Sequence, residues 1–206
     1  MPQPTASQLH SFLRSRRSIR RFKDEEVPDA LLQRILETAT WAPNAHNAQS
    51  WRFVRLSNMV NREIFAKAMA DEYSLALQAD NVAAEDIEDR IQRSRTRILS
   101  SPEIILLCVD AESLLGKYGD PNRSKGEVQM AVQSAALAGG QLLLAAQAEG
   151  LGAVWICWPL FAPREVSDAL DIPESWQAQG MILIGYPDGD TPNSSRRPLN
   201  DVLLTR

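Results

Sequence analysis

The chain has 206 residues, 44% hydrophobic and 23% charged, with 22 Lys and Arg against 26 Asp and Glu for a formal net charge of −4. That length and balance fit one soluble domain, residues 1–206, large enough for a sizeable core. The acidic balance argues against nonspecific nucleic-acid binding as the main role, and two cysteines with two histidines suggest neither a disulfide framework nor a metal site.

The first ten residues are polar and carry Pro2 and Pro4, without the apolar stretch of a signal peptide. Residues 8–16 have a helical pattern, with Ser7 as the expected N-cap. The pattern ends in Arg16-Arg17-Ser18-Ile19-Arg20-Arg21-Phe22, four arginines and a hydroxyl in six residues. Guanidinium groups make forked hydrogen bonds to phosphate oxygens, and a hydroxyl can fill a remaining acceptor position. In an acidic chain this cluster reads as a local anion site, the alternative being the solvated basic end of a surface helix. Pro28 opens a second helix to Trp41, with Leu31, Leu32, Ile35, Leu36 and Ala39 on one face. The loop Trp41-Ala42-Pro43-Asn44-Ala45-His46-Asn47-Ala48-Gln49-Ser50-Trp51 follows. Its neutral donors and acceptors suit a polar heteroaromatic ring better than a phosphate.

A strand is expected at 52–56, then helices at 61–79 and 83–99. The region 58–100 is expected to shape a substrate pocket. A nearly all-apolar strand follows at 103–109, and a long helix at about 125–149, ended by Gly150. Within that helix, 128–148 has no charged residue. Gln129, Gln133, Gln141 and Gln147 would be costly in lipid. The expectation is burial nearly all round, within the protein or between two subunits, with Ala135, Ala138, Gly139 and Gly140 allowing close helix approach. Strands at 153–158 and 179–185 flank a short helix at 163–170. The tail is turn-rich at 188–195 and is expected to form an edge element at 200–204. Helices around a few apolar strands give an α+β, or α/β layered, domain. No G-x-G-x-x-G follows a strand, so a built-in nicotinamide site of the Rossmann type is unsupported. Cys108 and Cys157 sit in apolar runs and are expected in the core.

Five segments, in this order, resemble the nitroreductase family of flavin enzymes. Arg16, Ser18 and Arg20 match its R-x-S-x-[KR] segment. Pro43, Asn47, Gln49 and Trp51 match its P-S-x-x-N-x-Q-x-W-like loop, with Asn44 for the common Ser and Ser50 for the common Pro. Gly150-Leu151-Gly152-Ala153-Val154-Trp155-Ile156 and Met181-Ile182-Leu183-Ile184-Gly185-Tyr186-Pro187 resemble two of its strands. Arg196-Arg197-Pro198-Leu199-Asn200-Asp201-Val202 resembles its closing basic segment. The match spans about residues 8–204.

The resemblance implies a small central sheet surrounded by helices in a domain-interlocked homodimer. It also implies FMN as cofactor and NAD(P)H as reductant, with hydride passed by a ping-pong mechanism to a nitroaromatic, quinone or other conjugated acceptor. Arg16 and Ser18 would take the FMN phosphate, with Arg17 next to the ribityl chain and Arg196 and Arg197 closing the phosphate pocket. Arg20 would be the cation at the pyrimidine edge that tunes the flavin, and Arg21 a surface residue. The loop with Pro43, Asn44, Ala45, His46 and Asn47 would reach the flavin of the other subunit. His46 would be a structural hydrogen-bonding group there, or a contact to flavin or substrate. Backbone N–H groups after Ile156, at Cys157 and Trp158, would face the flavin N5 and O4, where the family often has Glu or Gly. Trp158 would narrow the pocket, stack on a flat substrate or simply pack in the core. The expected setting is cytoplasmic, with no metal, membrane or nucleic-acid partner. The order of segments, including Asp171-Ile172-Pro173 and Trp176, is also similar to the reductase domain of the bifunctional coenzyme F420 biosynthesis protein. An FMN-dependent reductase of an F420 precursor is therefore one alternative, and a non-enzymatic flavin binder is another.

Overall fold

The most apolar run of the sequence becomes an interior strand. In the computed structural model, which describes residues 3–110, 112 and 120–206, the sheet has strands β1 (Trp51–Arg55), β2 (Glu103–Asp110), β3 (Gly152–Ile156) and β4 (Trp176–Gly185). Their spatial order is β1-β2-β4-β3, and all three pairings are antiparallel. An antiparallel sheet commonly leaves one face to water. Here every β2 residue except Asp110 is buried, so both faces must be covered.

Helices supply that cover, giving three layers. On one face Ile104, Leu106 and Cys108 of β2, with Met181 and Leu183 of β4, meet three helices. These are α3 (Met59–Ala79) through Phe65 and Met69, α4 (Ala84–Leu99) through Ile98, and α6 (Pro163–Leu170) through Val166. On the other face Ile105, Ile182 and Ile184 meet Leu32 and Ile35 of α2 (Asp29–Ala39) and Leu142 and Ala146 of α5 (Pro121–Ala148). The terminal helix α1 (Ala6–Ser15) buries no residue. It is tied to α5 by Gln147, whose Nε2 donates to the Phe12 carbonyl at 3.0 Å and to Ser15 Oγ at 2.7 Å.

Several boundaries differ from expectation, for local reasons. Thr5, not Ser7, caps α1, because it forms a reciprocal capping box with Gln8. Asn58 caps α3 two residues early by accepting from the Asn61 N–H at 2.8 Å. Asp120 accepts from the Asn122 N–H at 3.0 Å and Pro121 takes the first helical position, so α5 starts before residue 125. Strand β4 starts at Trp176 rather than 179 because Trp176, Gln177 and Ala178 pair with Asp110, Val109 and Cys108 across a register shift. The expected edge element at 200–204 is instead a single 3-10 turn, Leu199–Asp201.

By length and composition alone α5 could cross a membrane, yet Ala131, Ala135, Ala138, Leu142 and Ala146 bury it against the sheet. Burial all round is not met within one chain: Gln129, Gln133, Ala136 and Leu137 are exposed, Leu137 by 50%. Gly139 has a different use from the one expected. A Cβ there would lie 2.1 Å from Cζ3 of Trp155, so the missing side chain admits an indole from β3 rather than a second helix.

Candidate active site

The basic segment leaves α1 and runs against the β3 edge of the sheet. The Ile19 N–H donates to the Ala153 carbonyl at 3.1 Å, beside a parallel bridge between Ser18 and Ala153. The chain then turns, and the Lys23 N–H donates to the Tyr186 carbonyl at 2.9 Å while the Asp188 N–H donates to that of Arg21 at 3.1 Å. Two glycines make this docking possible. A Cβ on Gly152 would sit 2.8 Å from Ile19 Cβ, and one on Gly185 would sit 2.7 Å from Pro102 Cγ and 3.1 Å from Phe22 Cβ. Ile19 and Phe22 therefore anchor the segment through their apolar groups. The arginines around them are left available.

They are available in an electrostatic sense as well. Five ion pairs form among the described residues, and none uses Arg16, Arg17, Arg20 or Arg21. Arg17 Nη1 donates to the carbonyls of Arg14 at 2.7 Å and Arg16 at 2.9 Å, and Arg20 Nη1 approaches that of Ser18 at 3.4 Å. Like charges crowded in this way repel one another unless an anion joins them. A cleft of about 390 Å³ opens beside them, lined by Ser15, Arg16, Arg17, Ile19, Gln147, Thr191 and the Gly150–Ala153 backbone among others. Clefts of about 620 Å³ between α3 and α4 and 530 Å³ beside α6 touch none of the basic or loop segments. Sequence reading singles out the cleft's arginines but not Ser15, Gln147 or Thr191, which are polar residues without a motif.

The β3–β4 ladder ends at the pair Ile156–Met181. Just beyond it Cys157 is exposed, contrary to expectation, because the chain leaves the sheet there and enters a 3-10 turn at Trp158–Phe161. Cys108 is buried as expected, and desolvation pushes its thiol up to about 12. Trp158 is half-buried and packs on the α3 side of the core, its ring 4.4 Å from that of Tyr73 at an interplanar angle of 44°.

The polar loop docks elsewhere. The Ala45 N–H donates to Ser134 Oγ of α5 at 3.2 Å, and Ser50 Oγ donates to the Ala131 carbonyl at 3.1 Å. His46, Asn47 and Gln49 have φ of 54°, 52° and 50°. Left-handed backbone is costly for residues with a Cβ, although Asn and His tolerate it better than most. Three such residues in four positions are a local store of strain, and all three are solvent-accessible. The loop meets α5 at Ser134, whereas the basic segment's neighbour on α5 is Gln147. Thirteen residues at 1.5 Å each separate these points by roughly 20 Å. One chain thus unites the basic segment with β3 but does not bring Pro43, Asn44, Ala45, His46 and Asn47 to it. Arg196 and Arg197 do not line the cleft, although Thr191 of the same tail does, and residues 188–206 are all exposed. Arg196 bonds only locally, to the Ser194 hydroxyl and to the Ser195 carbonyl at 2.7 Å.

The family model described as the Nitroreductase family matches residues 13–186. A protein of Bacillus subtilis strain 168, provisionally named NAD(P)H nitroreductase YfhC, is 29% identical over 98% of this chain and 97% of its own. An NADH dehydrogenase of Thermus thermophilus is 30% identical, covering 93% of this chain and 92% of its own. A provisionally named nitroreductase of Desulfovibrio desulfuricans, solved in complex with FMN, is 27% identical with a TM-score of 0.73, covering 100% of this chain and 98% of its own. The family model spans most of the sequence and these relatives align over nearly all of it, so the chain belongs to the nitroreductase family of oxidoreductases.

Proposed function

We propose that this chain is an FMN-dependent NAD(P)H oxidoreductase that acts as a homodimer on a small conjugated acceptor such as a nitroaromatic or a quinone. The observation that carries the reading is the set of arginines, outside every ion pair among the described residues, held at the β3 edge by Ile19 against Gly152. The donor set fits a flavin mononucleotide. Arg16 and Arg17 line the cleft and offer forked donors to one terminal phosphate, with Ser18 adjacent. Arg20 supplies a fixed positive charge where the flavin ring gains electron density. The backbone N–H groups of Cys157 and Trp158 lie past the last ladder pair and offer donors that do not titrate. When bound, FMN would supply the hydride carrier between the nicotinamide and the acceptor, with the two substrates taking turns at one site. That ping-pong use of a single site agrees with a sequence that carries no dinucleotide motif of the Rossmann type. The setting in this reading is the cytosol.

A second copy supplies what one chain leaves apart. The strained loop carrying Asn44 and Asn47 would complete the partner's flavin site, a reading supported by the roughly 20 Å separation along α5. Apolar side chains await cover: Trp41 is 84% exposed, Leu137 50%, and Leu199, Val202, Leu203 and Leu204 each more than half. The basic tail with Arg196 and Arg197 would close a phosphate pocket across the dimer. The test is chemical. Cofactor released by denaturation and identified by mass should be FMN, one per chain, and the yellow protein should oxidise NAD(P)H with menadione or a nitroaromatic. Stoichiometric FAD, or a chain that takes up no flavin, contradicts the reading. Bound FMN without turnover makes the protein a binder.

A further inference from the structure

The geometry points to Arg52 as the positioning residue that holds the strained polar loop in its ring-binding shape, braced by Asp110 and Trp176. This rests on the proposal that the loop faces a flavin. Gln49 is the last of the three left-handed residues, and it is gripped at both ends. Its N–H donates to Asn44 Oδ1 at 2.9 Å, and its carbonyl accepts from Arg52 Nη1 at 2.9 Å. The same Nη1 also donates to the Trp51 carbonyl at 2.8 Å. Arg52 is itself fixed. Its Nη2 pairs with Asp110 Oδ2 at 2.7 Å, and its guanidinium carbon lies 5.7 Å from the ring centre of Trp176. Asp110 and Trp176 are register partners on β2 and β4. The brace is therefore anchored on two paired strands of the sheet, outside the loop.

The physical need for such a brace follows from the backbone. A left-handed Gln is held only where its surroundings over-determine it. Asn44 belongs to the same loop and would move with it. Ala45 and Ser50 tie the two ends of the loop to α5, and Arg52 is the side chain that refers the left-handed Gln49 itself to the sheet. Its planar fork can serve two carbonyls and a carboxylate at once, which a lysine ammonium does with less directional control. The role is also distinct from that of the arginines at the β3 edge, since Arg52 is ion-paired and sits at the β1 edge. Trp176, which closes the Asp-Ile-Pro-x-x-Trp segment, thereby acquires a purpose that no flavin contact gives it.

The test compares Arg52→Met, Arg52→Lys and Asn47→Asp with the wild-type chain. In FMN-free protein, amide hydrogen exchange at Gln49 should speed about tenfold in Arg52→Met, because one of its two grips is lost, while amides of α2 stay protected. In flavin titrations Arg52→Met should weaken FMN binding about tenfold, and Arg52→Lys should recover part of both losses. Asn47→Asp, which keeps a residue tolerant of left-handed backbone and leaves the brace intact, should weaken FMN without changing exchange at Gln49. Unchanged exchange at Gln49 in Arg52→Met overturns the brace. Faster exchange with unchanged FMN affinity overturns its role toward the flavin. If Arg52→Met does not fold, the lysine variant decides the matter: wild-type exchange and affinity in Arg52→Lys would refute the directional grip. A wild-type chain that binds no FMN removes the underlying reading as well, and that outcome is separable because it precedes any substitution.

Discussion

At the scale of single residues, the site is organised by what is missing as much as by what is present. Gly152 matters because Ile19 occupies the volume of its absent side chain, and Gly139 because the Trp155 indole does the same. The arginines nearest the cleft matter because no carboxylate among the described residues neutralises them. Two of them should separate by kinetics. In the proposed site, replacing Arg16 with Ala would remove a charge-assisted phosphate contact of roughly 1.5–3 kcal/mol, and FMN affinity should fall about tenfold to a hundredfold. Replacing Arg20 with Ala should leave FMN bound but slow its reduction, since one preorganised charge at a site of developing negative charge contributes about 2–4 kcal/mol. Fluorescence titration checks the first and stopped-flow reduction by NAD(P)H the second. Wild-type affinity in Arg16→Ala would move the phosphate elsewhere, and wild-type reduction in Arg20→Ala would remove its tuning role.

At the scale of elements, α3 is secured by an unusual clamp. Arg62 is only 7% exposed, and burial lowers its pKa. Its guanidinium donates to the carbonyls of Leu56 at 2.8 Å, Ser101 at 2.6 Å and Pro102 at 2.7 Å. It thereby joins α3 to the end of β1 and to the turn before β2. Arg62→Met should fill the space but strand three acceptors, each worth about 1–3 kcal/mol when unsatisfied and buried. Partial rehydration should leave a net loss of about 3 kcal/mol in urea unfolding, and a loss below about 1 kcal/mol would mean that water replaces the clamp. Nothing in the sequence distinguishes Arg62 from the other arginines of the region 58–100. The amphipathic helices α2 and α4 were legible, because their apolar periodicity is local. So was β2, because both of its faces are apolar. The register shift that extends β4 back to Trp176 was not, since it depends on a cross-strand partner. Nor was the exposure of Cys157, which depends on where the ladder stops. The basic and loop segments were legible as chemistry. Their separation along α5 was not, because it depends on hydrogen bonds from Ala45 to Ser134 and from Gln147 to Ser15.

At the scale of the whole molecule, that separation is the central fact. One edge of the sheet carries the basic segment, and the other carries β1 and the strained loop that leads into it. In the proposed reading a single chain would not close one flavin site from both edges, while two copies related by a two-fold axis would close two. The most direct test mixes Arg20→Ala homodimers with Asn47→Ala homodimers under conditions that exchange subunits. If each site takes Arg20 from one chain and Asn47 from the other, every heterodimer contains one site free of both substitutions. In a statistical mixture half the dimers are heterodimers and half of their sites are intact, so activity should rise to about a quarter of the wild-type value, well above either parent. If both residues of a site come from the same chain, every site in every dimer carries one substitution, and the mixture should show no gain over the mean of its parents, which would contradict the shared site.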